Sequence, residues 1–471
     1  MSQSQYEAIV IGAGPGGYPA GIKLAQLGVK TLVIEKESYG GVCLNWGCIP
    51  SKALIAASGL LDRIKSAETM GISVSDATLD VAKMQDWKDG IVKKLTSGVR
   101  SLIKGNGADV LLGEARLIAK NKVEVKTSEG ETKTFEASKG IIIATGASVI
   151  EIPGLKTDGE TVITAREAVS LREKPEHMVV VGGGVIGLEL GMVYMNLGTK
   201  ITVVELTDRL LPGVDADLVR VIEKTLRKGG ARVLKSTKAG DCVVKDGKAT
   251  LKLTNASGEE ETIEADKVLV AVGFKPNTAG LGLEGIGVKL DERGHVIKNE
   301  RLETSVPGVY AIGDVSGAPY LAHKATYEGE ICAEVIAGKS AAVDYRVMPS
   351  AIFTEPEIAT AGMSEEQAKA EGKNVKIGKF PFSVSGRAMA VNSTDGFVKT
   401  IIDADDHLVL GVAIVGPSAS DLISEASLAI EMGAFAEDVT LTVHPHPTLG
   451  EGVMESFKHA MGEAVHLMNK K

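Results

Sequence analysis

A nine-residue pattern occurs twice in this chain. Ile9-Val10-Ile11-Gly12-Ala13-Gly14-Pro15-Gly16-Gly17 returns as Val179-Val180-Val181-Gly182-Gly183-Gly184-Val185-Ile186-Gly187, and the likeness then runs on without a gap. Leu27-Gly28 is matched by Leu197-Gly198, and the apolar runs 31–35 and 201–205 each close on an acid, Glu35 and Glu205. Gly12 and Gly182, Leu27 and Leu197, Glu35 and Glu205 are all 170 positions apart. Spacing kept over that length marks two copies of one supersecondary unit. Each copy runs from an apolar strand through a Gly-rich turn into a helix-length segment, with a glutamate about 20 residues on, the fingerprint of a dinucleotide-binding unit.

Each part has a physical reason. Gly12 and Gly182 make the tight turn. Gly14 and Gly184 let backbone N–H groups approach a pyrophosphate, and Gly17 and Gly187 let helix pack on strand. The helix N-terminus adds a partial positive charge toward the phosphates. Glu35 and Glu205 are suited to accept ribose hydroxyls, so two dinucleotides are expected. At the second site a carboxylate accepts from a free 2′-OH but repels a 2′-phosphate, which would need Arg. Arg209 stands four residues beyond Glu205, not in its place. The second site is therefore expected to take NAD rather than NADP.

At 471 residues the chain is too long for one core and should divide into two to four domains. A formal charge of -9 and the lack of any Lys/Arg-rich run argue against a nucleic-acid partner. A strand-like run begins at Ala8 with no leader-like segment before it, and apolar stretches reach only about ten residues, too short for a bilayer. A soluble, cytoplasmic protein is expected.

Four cysteines are too few for a secreted disulfide framework. Cys242 and Cys332 stand alone and read as small core residues. Cys43 and Cys48 are only five positions apart. In a regular helix that spacing puts Cα atoms about 8–9 Å apart, whereas a disulfide needs less than about 7 Å. A bridge here requires a distorted helix start, and Gly47 supplies the backbone freedom. Such a short loop would be readily reduced. A metal-binding thiol pair is the competing reading; no second Cys/His cluster lies nearby in sequence, and no metal site is expected.

The segment CLNWGCIPSK, Cys43 to Lys52, is similar to the redox-active helix of the dihydrolipoamide dehydrogenase family, and the resemblance spans the whole chain. It implies a flavin- and NAD-dependent disulfide oxidoreductase. FAD would occupy the first nucleotide site. Cys43 would exchange with a dithiol substrate, Cys48 would lie against the flavin, and Lys52 would sit near the flavin and pair with Glu189. Thr145 and Gly146, in Ala144-Thr145-Gly146, would mark the crossing into a second domain, and Gly273, in Ala271-Val272-Gly273, the return. Asp314, in Tyr310-Ala311-Ile312-Gly313-Asp314, would reach the ribityl chain. Ala322 would open a helix whose backbone approaches the flavin ring, and Ala115 would contact the adenine. Trp46 departs from the family, which more usually has a small aliphatic residue there.

The loop Val443-His444-Pro445-His446-Pro447-Thr448-Leu449-Gly450-Glu451 suits acid–base chemistry. Thiol exchange needs a thiolate, hence a base near neutrality, and histidine qualifies. A carboxylate behind the ring fixes its tautomer. By family match His446 is the base and Glu451 its orienter, with His444 structural. The resemblance also implies a homodimer in which this loop enters the partner's site, and a lipoyl-domain protein of a 2-oxo acid dehydrogenase complex or glycine cleavage system as partner.

The expected fold is α/β: two doubly wound dinucleotide-binding domains plus a C-terminal α+β dimerisation domain. FAD-binding residues 1–147 and 274–346 would enclose an NAD-binding domain, 148–273, with an interface domain at 347–471. Within the last, 397–402 and 408–415 read as adjacent strands around an Asp405-Asp406 turn, and 421–432 as a helix. Glu205 speaks against a glutathione-reductase-like enzyme, and the cysteine-free tail 466–471 against a mercuric-reductase-like one. A flavoprotein kept only as a structural subunit would not need Cys43, Cys48, His446 and Glu451.

Overall fold

The two sequence copies fold alike. The first is the strand Ser4–Ile11, the helix Gly17–Gln26 and the strand Thr31–Glu35. The second is His177–Val181, Val185–Asn196 and Lys200–Val204. In the computed structural model, which describes residues 4–469, both units lie in parallel sheets. Ile9 pairs with Leu32 on one side and Ile141 on the other; Val179 pairs with Thr202 and Val268. These strands are buried on both faces, which is why they read as unbroken apolar runs rather than alternating ones. Each Gly-rich turn leaves the carboxyl end of a central strand whose neighbours lie on opposite sides, the switch point where open α/β sheets bind ligands.

The first sheet takes the chain back late. Strand Val309–Ala311 pairs in parallel with Ile141–Ile143, although about 165 residues of chain intervene. The chain leaves through Ala147–Val149 and returns through Phe274–Pro276, and these two segments pair antiparallel. Asn277 pins the crossing. Its side-chain NH2 donates to Thr145 O (2.9 Å), its backbone N–H to Gly146 O (3.0 Å), and its carbonyl accepts from Thr145 Oγ1 (2.8 Å).

The C-terminal sheet is antiparallel, in the order Ser350–Ile352, Glu357–Gly362, Val409–Gly416, Phe397–Asp403, Val375–Pro381. Helices Ala419–Met432 and Glu451–Met461 cover it over a core that includes Val398, Ile402, Val412, Ile414 and Phe457. The two strands expected around 405–406 are adjacent. The helix expected at 421 begins two residues sooner, because the Glu357 carboxylate accepts from the Ser420 N–H (2.9 Å) and hydroxyl (2.8 Å) and so satisfies the helix start.

Helix Val81–Gly105 was not singled out by the sequence. It is N-capped by Asp80, which accepts from the Lys83 N–H, and it buries only Met84, Gln85, Lys88, Val99 and Ile103, too sparse and polar a set to make a readable stripe. Among the described residues no helix is long and apolar enough to cross a membrane.

Candidate active site

The two Gly-rich turns are built the same way. A Cβ on Gly12 would lie 2.3 Å from Ala144 O, and one on Gly182 would lie 2.4 Å from Ala271 O. On Gly17 and Gly187 it would lie 1.9 and 2.1 Å from the carbonyl oxygens of Gly12 and Gly182. The first and third glycines are therefore required by the protein's own packing. The middle ones are not: Gly14 would meet nothing nearer than Gly41 Cα at 3.9 Å, and Gly184 nothing within 4 Å. Bare backbone facing open space is what a pyrophosphate needs.

The two acids are held in parallel fashion. Glu35 accepts from the N–H groups of Ala13 (2.8 Å) and Glu37 (2.9 Å). Glu205 accepts from the N–H groups of Gly183 (2.7 Å) and Thr207 (2.7 Å) and from the Thr207 hydroxyl (2.8 Å). A carboxylate has about four acceptor positions, so each retains capacity for a ribose hydroxyl. Ala115 lies in strand Asp109–Ala119, three residues beyond Leu112, the partner of Glu35.

The cysteines sit at a break. Instead of one distorted helix start, two helices meet, Gly41–Asn45 and Cys48–Lys65, with Trp46 and Gly47 between them. A Cβ on Gly47 would come within 2.9 Å of Val42 O and 3.3 Å of Cys43 Cα, so only glycine lets the turn close this tightly. The two thiols are free and interact with each other. The neighbouring Cys43 thiol, followed by the Lys52 ammonium, holds the Cys48 thiol below its usual range, while Cys48 and burial push Cys43 well above it. Of the two, Cys48 is the one that ionises first.

Lys52 Nζ lies 2.7 Å from Glu189 Oε2. The other Glu189 oxygen accepts from the Phe353 N–H (2.8 Å), and the Phe353 ring lies 4.5 Å from Lys52 Nζ. Residues of the first sheet's unit, the inserted unit and the C-terminal unit thus meet beside the cysteines. Phe353 left no signal in the sequence.

Helix Ala322–Ile336 closes the first site from the other side. Thr326 Oγ1 donates to Pro15 O (2.9 Å), and a Cβ on Gly329 would lie 2.4 Å from Gly16 O. Glu328, unanticipated from sequence, takes the Gly313 N–H (2.7 Å) and pairs with Lys298 (2.7 Å) and Lys324 (3.2 Å). This fixes the turn that carries Asp314. Burial pushes the Asp314 carboxyl up to about 6, with no hydrogen bond among the causes of its shift. A half-buried carboxylate with no side-chain hydrogen bond among the described residues fits a hydroxylated ligand.

An acid raised on folding takes up a proton as the chain folds. The cost is absent below its unfolded value near pH 4 and full above about pH 6. Asp314→Asn should therefore stabilise the flavin-stripped protein by up to about 3 kcal/mol at pH 7.5 and leave it unchanged at pH 4. Urea unfolding at both pH values checks this; a pH-independent difference would sink it.

The C-terminal histidines separate. His444 is buried, its ring nitrogens at Thr442 O (2.8 Å) and Glu425 Oε1 (2.6 Å). The His446 side chain is 81% exposed, with Nδ1 2.9 Å from Glu451 Oε1. Although partial burial opposes it, the Thr448 N–H and His446 hold the Glu451 carboxyl below its usual range. Among the described residues no hydrogen bond or ion pair joins this loop to the cysteine pair of the same chain.

Comparison with known proteins agrees with this geometry. Residues 6–329 match the family model described as "Pyridine nucleotide-disulphide oxidoreductase", and residues 348–457 match that family's dimerisation domain. The chain belongs to the pyridine nucleotide-disulphide oxidoreductase family: it is an NAD-dependent flavoprotein disulfide oxidoreductase whose cofactors are FAD and NAD, and it carries a dimerisation domain. It is 47% identical to the dihydrolipoyl dehydrogenase of Geobacillus stearothermophilus over 98% of both chains, and 44% identical to that of Halobacterium salinarum, again over 98% of both. Among solved structures, LpdA from Mycobacterium tuberculosis superposes with a TM-score of 0.89 at 28% identity, over 96% of this chain and 99% of that one. The HOCl-induced flavoprotein disulfide reductase RclA from Escherichia coli gives 0.85 at 26%, over 96% and 99%.

Proposed function

We propose that this oxidoreductase is a dihydrolipoamide dehydrogenase, working as a homodimer in the cytoplasm on the lipoyl domain of a 2-oxo acid dehydrogenase complex or glycine cleavage system. The observation that carries the reading is the asymmetric thiol pair Cys43–Cys48 beside the Lys52–Glu189 ion pair. The dimer is supported by the dimerisation-domain match, and the substrate by full-length relatives named for it. The domain division stated from sequence is supported by the late return of strand Val309–Ala311 to the first sheet and by the two crossings at 147–149 and 274–276.

Gly12, Gly14, Gly17, Glu35, Ala115, Thr145, Gly146, Asp314 and Ala322 would hold FAD. Gly182, Gly184, Gly187, Glu205 and Gly273 would hold NAD, with Lys52 and Glu189 between the two. Bound there, FAD would supply the two-electron chemistry that links the reduced cysteines to NAD.

The protein's own part is sulfur exchange. With the enzyme oxidised, His446 takes the proton from one substrate thiol, and the resulting thiolate attacks Cys43 Sγ. A mixed disulfide forms, the Cys43–Cys48 bond breaks, and Cys48 leaves as the thiolate that its surroundings favour. The second substrate thiol attacks the substrate sulfur bound to Cys43, its proton passing to the departing Cys43 sulfur while the first proton stays on His446. Lipoamide departs, and Cys43 keeps the electron pair and gains a proton. Glu451 orients the ring and stabilises its protonated form.

NADH-driven reduction of lipoamide, with glutathione disulfide and NADPH as controls, tests the reading. Lipoamide should be turned over and glutathione disulfide should not, and NADH should be preferred by about a hundredfold or more, because Glu205 faces any 2′-phosphate with like charge. Turnover of glutathione disulfide with NADPH would overturn both assignments.

A further inference from the structure

Trp46, one of the four residues between the two cysteines, is tied to the inserted unit. The guanidinium carbon of Arg166 lies 4.0 Å from the centre of the Trp46 ring, and Arg166 Nη2 also meets Glu37 Oε1 at 2.5 Å. Arg166 belongs to the short helix Ala165–Ala168 of the inserted unit, whereas Glu37 follows Glu35 in the first unit. Trp46 also packs against an apolar cluster that joins Ile163, Ala168 and Leu190 of the inserted unit to Leu54 of the cysteine-bearing helix. Helix Gly41–Asn45 has no fully buried residue, and the Asn45 amide ties its two ends together by donating to Tyr39 O (3.0 Å) and Gly41 O (2.8 Å).

We propose that the Trp46–Arg166–Glu37 stack is a positioning device for the redox loop: it holds the backbone between Cys43 and Cys48 in the arrangement where the two thiols lie side by side, and so favours the dithiol over the disulfide. The stack occurs with both cysteines as free thiols; a sulfur–sulfur bond of about 2 Å brings the two sulfurs closer than free thiols approach, and the loop between them adjusts to allow it. A ring stacked on a cation resists that shift, and the carboxylate of Glu37 keeps the guanidinium plane in place. Arginine suits this role because its planar group stacks and pairs at once, which an ammonium does not. Arg166 is thus a positioning residue that touches no reacting atom. The inference rests on Cys43 and Cys48 being the redox pair.

The test uses the holoenzyme equilibrated anaerobically in dithiothreitol redox buffers. There the enzyme dithiol and oxidised dithiothreitol exchange with the enzyme disulfide and reduced dithiothreitol. Samples are quenched in acid, unfolded and labelled with a maleimide. A reduced chain takes four labels and a chain with the Cys43–Cys48 bridge takes two, at Cys242 and Cys332. Arg166→Ala and Trp46→Val should each move the ratio toward disulfide by about two- to fivefold, the weight of an exposed cation–π contact. Arg166→Lys and Trp46→Phe should fall between these and the unaltered protein, since part of the stack survives. The double variant Arg166→Ala, Trp46→Val should move no further than the larger single shift, because the two residues act as one contact. No shift, a shift toward dithiol, or additive shifts would overturn the proposal. If the unaltered enzyme never passes between two and four labels, the redox-pair reading fails first.

Discussion

Cys43→Ser should lower dihydrolipoamide oxidation by about a thousandfold or more while the chain keeps its flavin. The size of the effect follows from the division of labour at the helix break. Cys43 is the protonated member of the pair and Cys48 the favoured thiolate, so Cys43 is the sulfur to be attacked and Cys48 the group that leaves. Serine has no sulfur to receive the attack, yet it still donates a hydrogen bond to Cys48. Alanine does not, and the bond from Cys43 is the foremost cause of the depressed Cys48 value. The pH profile of Cys48 alkylation should therefore stay low in Cys43→Ser and climb toward the ordinary thiol range in Cys43→Ala. Retained turnover in Cys43→Ser would refute the assignment, and identical alkylation profiles would refute the account of Cys48.

His446→Gln should cost about two to four orders of magnitude at pH 7. The deficit should shrink as pH rises to 9.5, because a substrate thiol with a value of about 8.5 or above then ionises without help. A deficit independent of pH would mean that the ring positions substrate rather than moving a proton. Among the described residues the exposed ring is held only from its Nδ1 side, by Glu451, which leaves Nε2 open to face another chain. Co-expressing Cys43→Ser with His446→Gln separates the two arrangements. If the base works across the dimer, each mixed dimer has one intact site, and the statistical mixture should recover about a quarter of normal activity. If it works within its own chain, every site stays damaged.

Much of this architecture was legible in the sequence because its causes are local. A turn that needs glycine at fixed steps, a helix start and a closing acid all lie within about 25 residues, and duplication at 170 positions made the pattern plain. The pairing of Lys52 with Glu189, implied by the family resemblance, is present as an ion pair at 2.7 Å. What escaped were side chains that act over long sequence distance. Asn277 meets Thr145 across 132 residues, Phe353 meets Glu189 across 164, and Arg166 meets Glu37 across 129. Such contacts carry no period and no spacing, so nothing in a linear reading points from one partner to the other. Trp46 shows both sides of this. Its oddity was visible between the cysteines, but the guanidinium it rests on was not.

The crossing segments 147–149 and 274–276 hydrogen-bond to each other, so the inserted unit begins and ends at one spot. A nucleotide module whose two ends are neighbours can be spliced into a host sheet at a single loop, with no strand of the host re-threaded. One such splice is enough to turn a protein with a single nucleotide site into one with two, and the constant 170-residue offset means that the stretch from Gly12 to Glu35 is as long as the stretch from Gly182 to Glu205.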